Sequence, residues 1–240
     1  MPPPKSLDSI TTISFDGDAT LWDFEKVMHH ALGVVLEELA QHLSNEQVKH
    51  LSIEGMIHTR DAIARELEGS ETNLEKIRLL SFQRTLISIG VDDAAFAQHI
   101  NAIYMKHRFE DIELYPDVPK ALNTLAPDFV LGLLSNGNTY PERCGLKDAF
   151  KFVIFAQDYG VAKPDRRLFD IALDEADCSA NELLHVGDSL INDVAGAQNA
   201  GIKAVWLNRV KELNNSHIQP DFEVADLMEL VSLVKEERAD

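Results

Sequence analysis

A single strand-type segment, isolated from any partner nearby in the chain, does most to limit how these 240 residues can fold. Residues 11–15, Thr-Thr-Ile-Ser-Phe, are mostly β-branched or aromatic and stop at Asp16-Gly17-Asp18, the pattern of a strand running into a turn. A strand needs a neighbour for its backbone hydrogen bonds. From residue 23 to about residue 110 the periodicity is helical. Val27, Met28, Ala31, Leu32, Val35, Leu36 and Leu39 share one i, i+3/i+4 face. Ser44-x-x-Gln47 and Thr72-x-x-Glu75 read as capping boxes. Leu74, Ile77 and Leu80 continue the striping, as do Phe96, Ile100, Ile103 and Tyr104.

Beyond Tyr115-Pro116-Asp117 strands and helices alternate. Strands are expected at 130–134, 152–155, 183–186 and 204–207, with helices at 166–176 and 193–200, the last closed by Gly201. Apolar strands alternating with helices predict an α/β fold: a Rossmann-like parallel sheet with helices on both faces and right-handed crossovers. The early strand must then join the later ones. The expected organisation is an α/β core of residues 1–22 plus 111–240, with residues 23–110 inserted as an all-α domain.

Composition narrows the function classes. Hydrophobic residues make up 45% and charged residues 26%, ordinary for a globular core. No apolar run approaches the ~18 residues of a membrane span. Met1-Pro2-Pro3-Pro4-Lys5-Ser6 has no apolar stretch behind its Lys and does not read as a signal peptide. Cys144 and Cys178 have no metal-type spacing, so a reducing cytoplasm is the expected compartment. With 22 Lys+Arg against 40 Asp+Glu the net charge is −18, which repels nucleic acid and anionic membranes. A small anionic substrate stays compatible if a bound cation reverses the local sign. No motif addresses oligomeric state.

Ligands of open parallel sheets bind at the carboxyl ends of strands. There this chain places Asp16 and Asp18, then Ser135, then Lys163, then Asp188. Crowded carboxylates repel, and a hard dication such as Mg²⁺ relieves them through oxygen ligands. Asp16 and Asp188 are the natural side-chain ligands, with a backbone carbonyl near Asp18 as a third. Two residues apart in continuing β geometry, Asp16 and Asp18 would share a face. Gly17 lets a phosphate approach closely. The set suits covalent attack by Asp16 on phosphorus with Asp18 shuttling the proton. Ser135 and nearby amides would hold the phosphoryl oxygens. Lys163 would neutralise charge, its backbone kept extended by Pro164.

These residues resemble the haloacid dehalogenase superfamily of aspartate-nucleophile phosphatases. Phe15-Asp16-Gly17-Asp18-Ala19-Thr20-Leu21 is similar to its first motif and Leu134-Ser135-Asn136-Gly137 to its second. Ala162-Lys163-Pro164-Asp165 is similar to the third, and Val186-Gly187-Asp188-Ser189 followed by Asp193 to the fourth. The resemblance implies a phosphoaspartyl intermediate on Asp16, with Asp18 as acid and then base. It implies Mg²⁺ held by Asp16, the Asp18 main-chain carbonyl and Asp188, and phosphate bound by Ser135 and Asn136 with Lys163. Thr20 and Asp193 would support the site, and the helical insertion would be the family's cap. Ala19 departs from the family pattern, which often has Gly there, and narrows the loop's backbone freedom.

Halide leaves without a proton, whereas an alkoxide needs one, so the presence of Asp18 favours phosphate chemistry over haloacid cleavage, with a phosphonate-cleaving relative kept as an alternative. A phosphomutase would use the same catalytic set. A non-enzymatic phospho-acceptor domain shares the acid, hydroxyl and Lys but is about half as long and has no helical insertion. The expected partner is a small-molecule phosphate ester. Seven of the nine His lie in the insertion, at 29, 30, 42, 50, 58, 99 and 107, and read as isolated surface residues. Arg60 and His58, in a turn bounded by Gly55, are candidates for contact with a substrate anion. Met28 reads as core, and Trp22 as packing at the hinge.

Overall fold

The computed structural model describes residues 6–67 and 69–236, so Met1-Pro2-Pro3-Pro4-Lys5 lies outside the described residues. The chain divides into two compact units, Met1–Asp23 with Leu114–Asp240, and Phe24–Glu113. After β1 (Thr12–Phe15), the second unit is built from α1 (Phe24–His42), α2 (Asn45–Val48), α3 (Ile53–Glu66), α4 (Leu74–Ser88) and α5 (Ala94–Glu110). The first unit resumes with α6 (Val118–Leu125), β2 (Val130–Ser135), β3 (Phe152–Phe155), α7 (Ala156–Tyr159) and α8 (Arg166–Ala176). It ends with β4 (Leu183–Gly187), a π-helical turn (Leu190–Ala195), α9 (Gly196–Asn199), β5 (Lys203–Leu207), β6 (Phe222–Val224) and α10 (Leu227–Glu236).

All six strands form one parallel sheet in the order β3-β2-β1-β4-β5-β6. The isolated strand of the sequence is thus the centre, flanked by β2 and β4. Thr12 faces Val130 on one side and Leu183 on the other, and Ser14 faces Gly132 and His185. That register brings the carboxyl ends of β1, β2 and β4 to one edge. One face is sealed by Leu168, Phe169 and Ala172 of α8 with Val194 and Ala197, packed on Leu134, Ile154 and Leu183.

Several expectations shift. The helix at 193–200 starts at Leu190 with a π turn, because Val194 N–H reaches back to Ser189 O at 3.2 Å. The Thr72 cap moves to Asn73, whose side chain accepts from Lys76 N–H at 3.0 Å. His58 and Arg60 lie inside α3 and not in a turn, since Ser52 caps that helix through Gly55 N–H. β6 and the helices α6, α7 and α10 extend the predicted set. Three-residue β6 carries too little alternation to read, whereas Leu227, Leu230, Val231 and Val234 give α10 a buried helical stripe. Among the described residues no helix is long and apolar enough to cross a membrane.

Candidate active site

At the carboxyl edge of the sheet, Lys163 is the hub. The residue is 4% exposed, and its ammonium donates to Asp16 Oδ1 at 2.6 Å, Asp193 Oδ1 at 2.6 Å and Leu134 O at 2.8 Å. Three N–H donors meet three acceptors, so no proton of the ammonium is left unpaired. Burial alone would lower its pKa, but the two carboxylates hold it above the ordinary lysine range. The Lys163-Pro164 peptide is cis. Asn136 grips the Lys163 backbone at both ends, Nδ2 donating to Lys163 O at 2.9 Å and Oδ1 accepting from Lys163 N–H at 2.8 Å. This brace uses the amide oxygen and one of the two amide N–H groups, and Asn136 also lines the cavity beside Ser135.

One ammonium cannot neutralise two carboxylates. Burial would raise Asp193, but Lys163 and the hydrogen bond from His185 hold it well below the usual range. Ser189 N–H adds a contact to its other oxygen at 2.9 Å. Asp16 is left with the deficit: burial, against the pull of Lys163 and with the push of Asp193 and Asp188, raises its pKa. Asp188 is raised to about 6, by burial first and then by Asp193. One ligand oxygen from each of Asp16, Asp188 and Asp193 lies within 4.8 Å of the others. Three carboxylates against one ammonium leave two excess negative charges among oxygen donors, the charge and chemistry a hard dication fits. Asp193 already accepts three hydrogen bonds, so Asp16 and Asp188 are the ligands open to it.

A cavity of about 180 Å³ is lined by Asp16, Asp18, Ser135, Asn136, Gly137, Lys163, Asp188, Ser189, Asn192 and Asp193. The strand ends at Phe15, so Asp18 is placed by its own loop and not by continuing pleat. Trp22, fully buried, donates its Nε1–H to Asp18 Oδ1 at 2.6 Å and fixes that carboxylate. A Cβ on Gly17 would sit 2.6 Å from the Trp22 ring, so only glycine fits between them. Gly187 is under the same constraint, as its Cβ would fall 2.2 Å from Asp193 Cγ. Ser135 Oγ accepts from Gly137 N–H at 3.0 Å. Thr20 Oγ1 stands 3.4 Å from Asp188 Oδ1, and its carbonyl accepts from Arg209 Nη2 at 2.8 Å.

Ala19 holds φ +64°, the left-handed region, at the position where the sequence lacks the resembled glycine. That conformation costs a Cβ-bearing residue about 1–2 kcal/mol. Ala19→Gly is therefore expected to stabilise the protein by about 0.5–1 kcal/mol after the entropy of the unfolded glycine is subtracted. Urea denaturation reads this, and an unchanged or lowered midpoint contradicts it.

Three groups escaped the sequence reading. His185 is fully buried in β4, its Nδ1 2.8 Å from Ser14 Oγ and its Nε2 3.2 Å from Asp193 Oδ1. Burial keeps it below the ordinary histidine pKa, hence neutral. Since the carboxylate only accepts, Nε2 carries the proton and Ser14 donates to Nδ1. Ser14, His185 and Asp193 form a buried relay that ties the central strands to Lys163. The signal was a histidine amid apolar strand residues. Arg209 is the third, clamped by Asp117 at 3.1 Å and lying 4.1 Å over Tyr115.

Arg60 does not line this cavity. It belongs to the helical unit, with Nε 2.6 Å from Asp61 Oδ1. The histidines there are less isolated than expected: His30 and His107 converge on Asp111 at 3.1 and 2.9 Å, and His99 and His42 on Glu38 at 2.7 and 3.6 Å.

Residues 13–207 match the family model for haloacid dehalogenase-like hydrolases. The chain belongs to that family. Among haloacid dehalogenase-like hydrolases it is 26% identical to the 5-amino-6-(5-phospho-D-ribitylamino)uracil phosphatase YigB of Escherichia coli (strain K12), over 96% of this chain and 98% of that protein. It is 27% identical to a glyceraldehyde 3-phosphate phosphatase of Methanopyrus kandleri (strain AV19), over 95% and 98%. The crystal structure of a 2-haloacid dehalogenase from Pseudomonas syringae pv. Tomato DC3000 superposes with a TM-score of 0.79 at 29% identity, covering 95% of this chain and 99% of that one.

Proposed function

We propose that this haloacid dehalogenase-like hydrolase is a Mg²⁺-dependent phosphatase of small phosphate esters, working through a phosphoryl group carried on Asp16. The observation that carries the reading is one cavity holding Asp16, Asp18, Ser135, Lys163 and Asp188, with Lys163 bonded to Asp16. Full-length similarity to phosphatases supports it. Similarity to a dehalogenase favours the rival reading of attack on a halide-bearing carbon. Asp18 favours the phosphatase reading. It lines the cavity and can give a proton to a leaving alkoxide, a service halide does not need. Residues 23–110 are assigned as the cap, because they form a separate helical unit inserted between β1 and α6.

In the first half-reaction an Asp16 carboxylate oxygen attacks phosphorus while the ester P–O bond breaks, and Asp18 protonates the departing oxygen. In the second, Asp18 takes a proton from water, whose oxygen attacks the same phosphorus. The bond to Asp16 breaks and inorganic phosphate leaves. Lys163 stays ionised throughout and offsets charge on Asp16. Ser135 and neighbouring amides, including the Asn136 main chain, orient the phosphoryl oxygens. A Mg²⁺ ion bound by Asp16, Asp188 and the Asp18 carbonyl would polarise the phosphoryl oxygens and relieve the carboxylate repulsion.

The protein is expected to hydrolyse p-nitrophenyl phosphate with Mg²⁺ and to stop when the ion is chelated. Asp188→Asn is expected to weaken Mg²⁺ at least about 100-fold, read as the concentration needed for half-maximal rate. Turnover indifferent to chelation contradicts the role given to Asp188.

A further inference from the structure

Five buried side-chain N or O atoms among the described residues lack a hydrogen-bond partner, and four belong to the helical unit: Arg60 Nε, Thr85 Oγ1, Asn101 Oδ1 and Tyr104 Oη. Buried polar atoms are nearly always paired, and a concentration of exceptions points to a missing ligand. Arg60 Nε approaches Asp61 Oδ1 at 2.6 Å, but off the hydrogen-bonding direction. Its Nη2 donates to the Met28 sulfur at 3.8 Å.

Near Arg60 and Tyr104 sits Arg78, 6% exposed on the buried face of α4 with Ser81 and Thr85. Its guanidinium lies 4.3 Å over the Tyr104 ring. That stacking uses the face of the group and leaves its in-plane N–H fork for another partner. Burial is the largest cause bringing Arg78 down to about 10. Tyr104 opposes it, the like charges of Arg60 and Arg108 add to it, and Asp61 is the one carboxylate acting the other way. Asp61 already faces Arg60. So in a chain of net charge −18, the guanidiniums of Arg60 and Arg78 lie close enough to repel, with Asp61 as the carboxylate acting on Arg78. An apolar stripe along Leu74, Ile77 and Leu80 does not describe this face. α4 buries Arg78, Ser81 and Thr85 among its apolar residues.

We propose that Arg78, Arg60 and Tyr104 form an oxyanion-binding site within the helical unit, one that takes a carboxylate or phosphoryl group. A planar fork from Arg78 and an O–H from Tyr104 match such a group, and the net positive charge of the cluster calls for one. The oxyanion is either a second acidic group of the substrate, a source that rests on the phosphatase reading above, or a separate small anion, which does not.

Three arms test this. Crystals of the full chain soaked in selenate should show selenium anomalous density between Arg60 and Arg78. Malonate should raise the melting temperature of the wild type more than that of Arg78→Gln. Arg78→Gln should raise KM for phosphoglycolate at least about tenfold while leaving p-nitrophenyl phosphate kinetics within about twofold. A selective KM effect supports the site with the substrate as source, and a lost malonate shift without it supports a separate anion. No selenium density together with unchanged malonate and phosphoglycolate responses overturns the proposal. If the wild type fails to hydrolyse p-nitrophenyl phosphate, the phosphatase reading falls, but the selenate and malonate arms still decide the site. Should Arg78→Gln not fold, Arg60→Gln replaces it, its side chain being only 26% exposed yet nearer to solvent.

Discussion

Asp16→Asn is expected to lower kcat on p-nitrophenyl phosphate by roughly 10⁴- to 10⁶-fold, the scale of removing a covalent nucleophile. The amide is nearly isosteric and its oxygen still accepts from Lys163. Folding should not suffer. In the absence of metal the variant should be as stable as the wild type or more so, because Asp16 is the carboxylate that burial and its acidic neighbours disfavour most when ionised. Loss of activity at unchanged stability separates a chemical role from a structural one. Retained turnover removes Asp16 from the mechanism.

Lys163→Met has the opposite profile. The ammonium is buried with two carboxylates on it, and its removal leaves Asp16 and Asp193 facing each other without a counter-charge. Truncating one partner of a buried ion pair costs about 3–5 kcal/mol, a large share of the ~5–15 kcal/mol that holds a domain folded. The urea midpoint should fall accordingly, and kcat should fall as well, since charge on the transferring group is no longer offset. Mg²⁺ should restore part of the stability by supplying positive charge at the same place. A stability change below about 1 kcal/mol contradicts the hub assigned to Lys163.

Much of the α/β core was legible because its signals are local. Runs such as Leu183-Leu184-His185-Val186 carry β propensity in four residues, and the turn residues after β1, β2 and β4 mark their carboxyl ends. The need of the lone strand for partners then placed β1 inside the sheet, where the register sets it between β2 and β4. What escaped was non-local. Ser14 and His185 are 171 residues apart, and neither has a reason to be polar until the register pairs them. Asn136 and Lys163 are 27 apart, and only the fold shows that the amide braces the lysine backbone. The strain at Ala19 needed a φ angle, although the missing glycine marked the spot. Along α4, apolar periodicity passed over Arg78, because a guanidinium stacked on Tyr104 occupies a core position that hydropathy assigns to Leu.

The central claim is covalent transfer to one carboxylate, and rapid acid quenching during turnover tests it most directly. Tryptic peptides of the quenched protein, read by tandem mass spectrometry, should carry a phosphoryl group on Asp16 within residues 6–26, and the same peptide from Asp16→Asn should carry none. Turnover that leaves this peptide unmodified at every quench time, or that labels a different residue, contradicts the account.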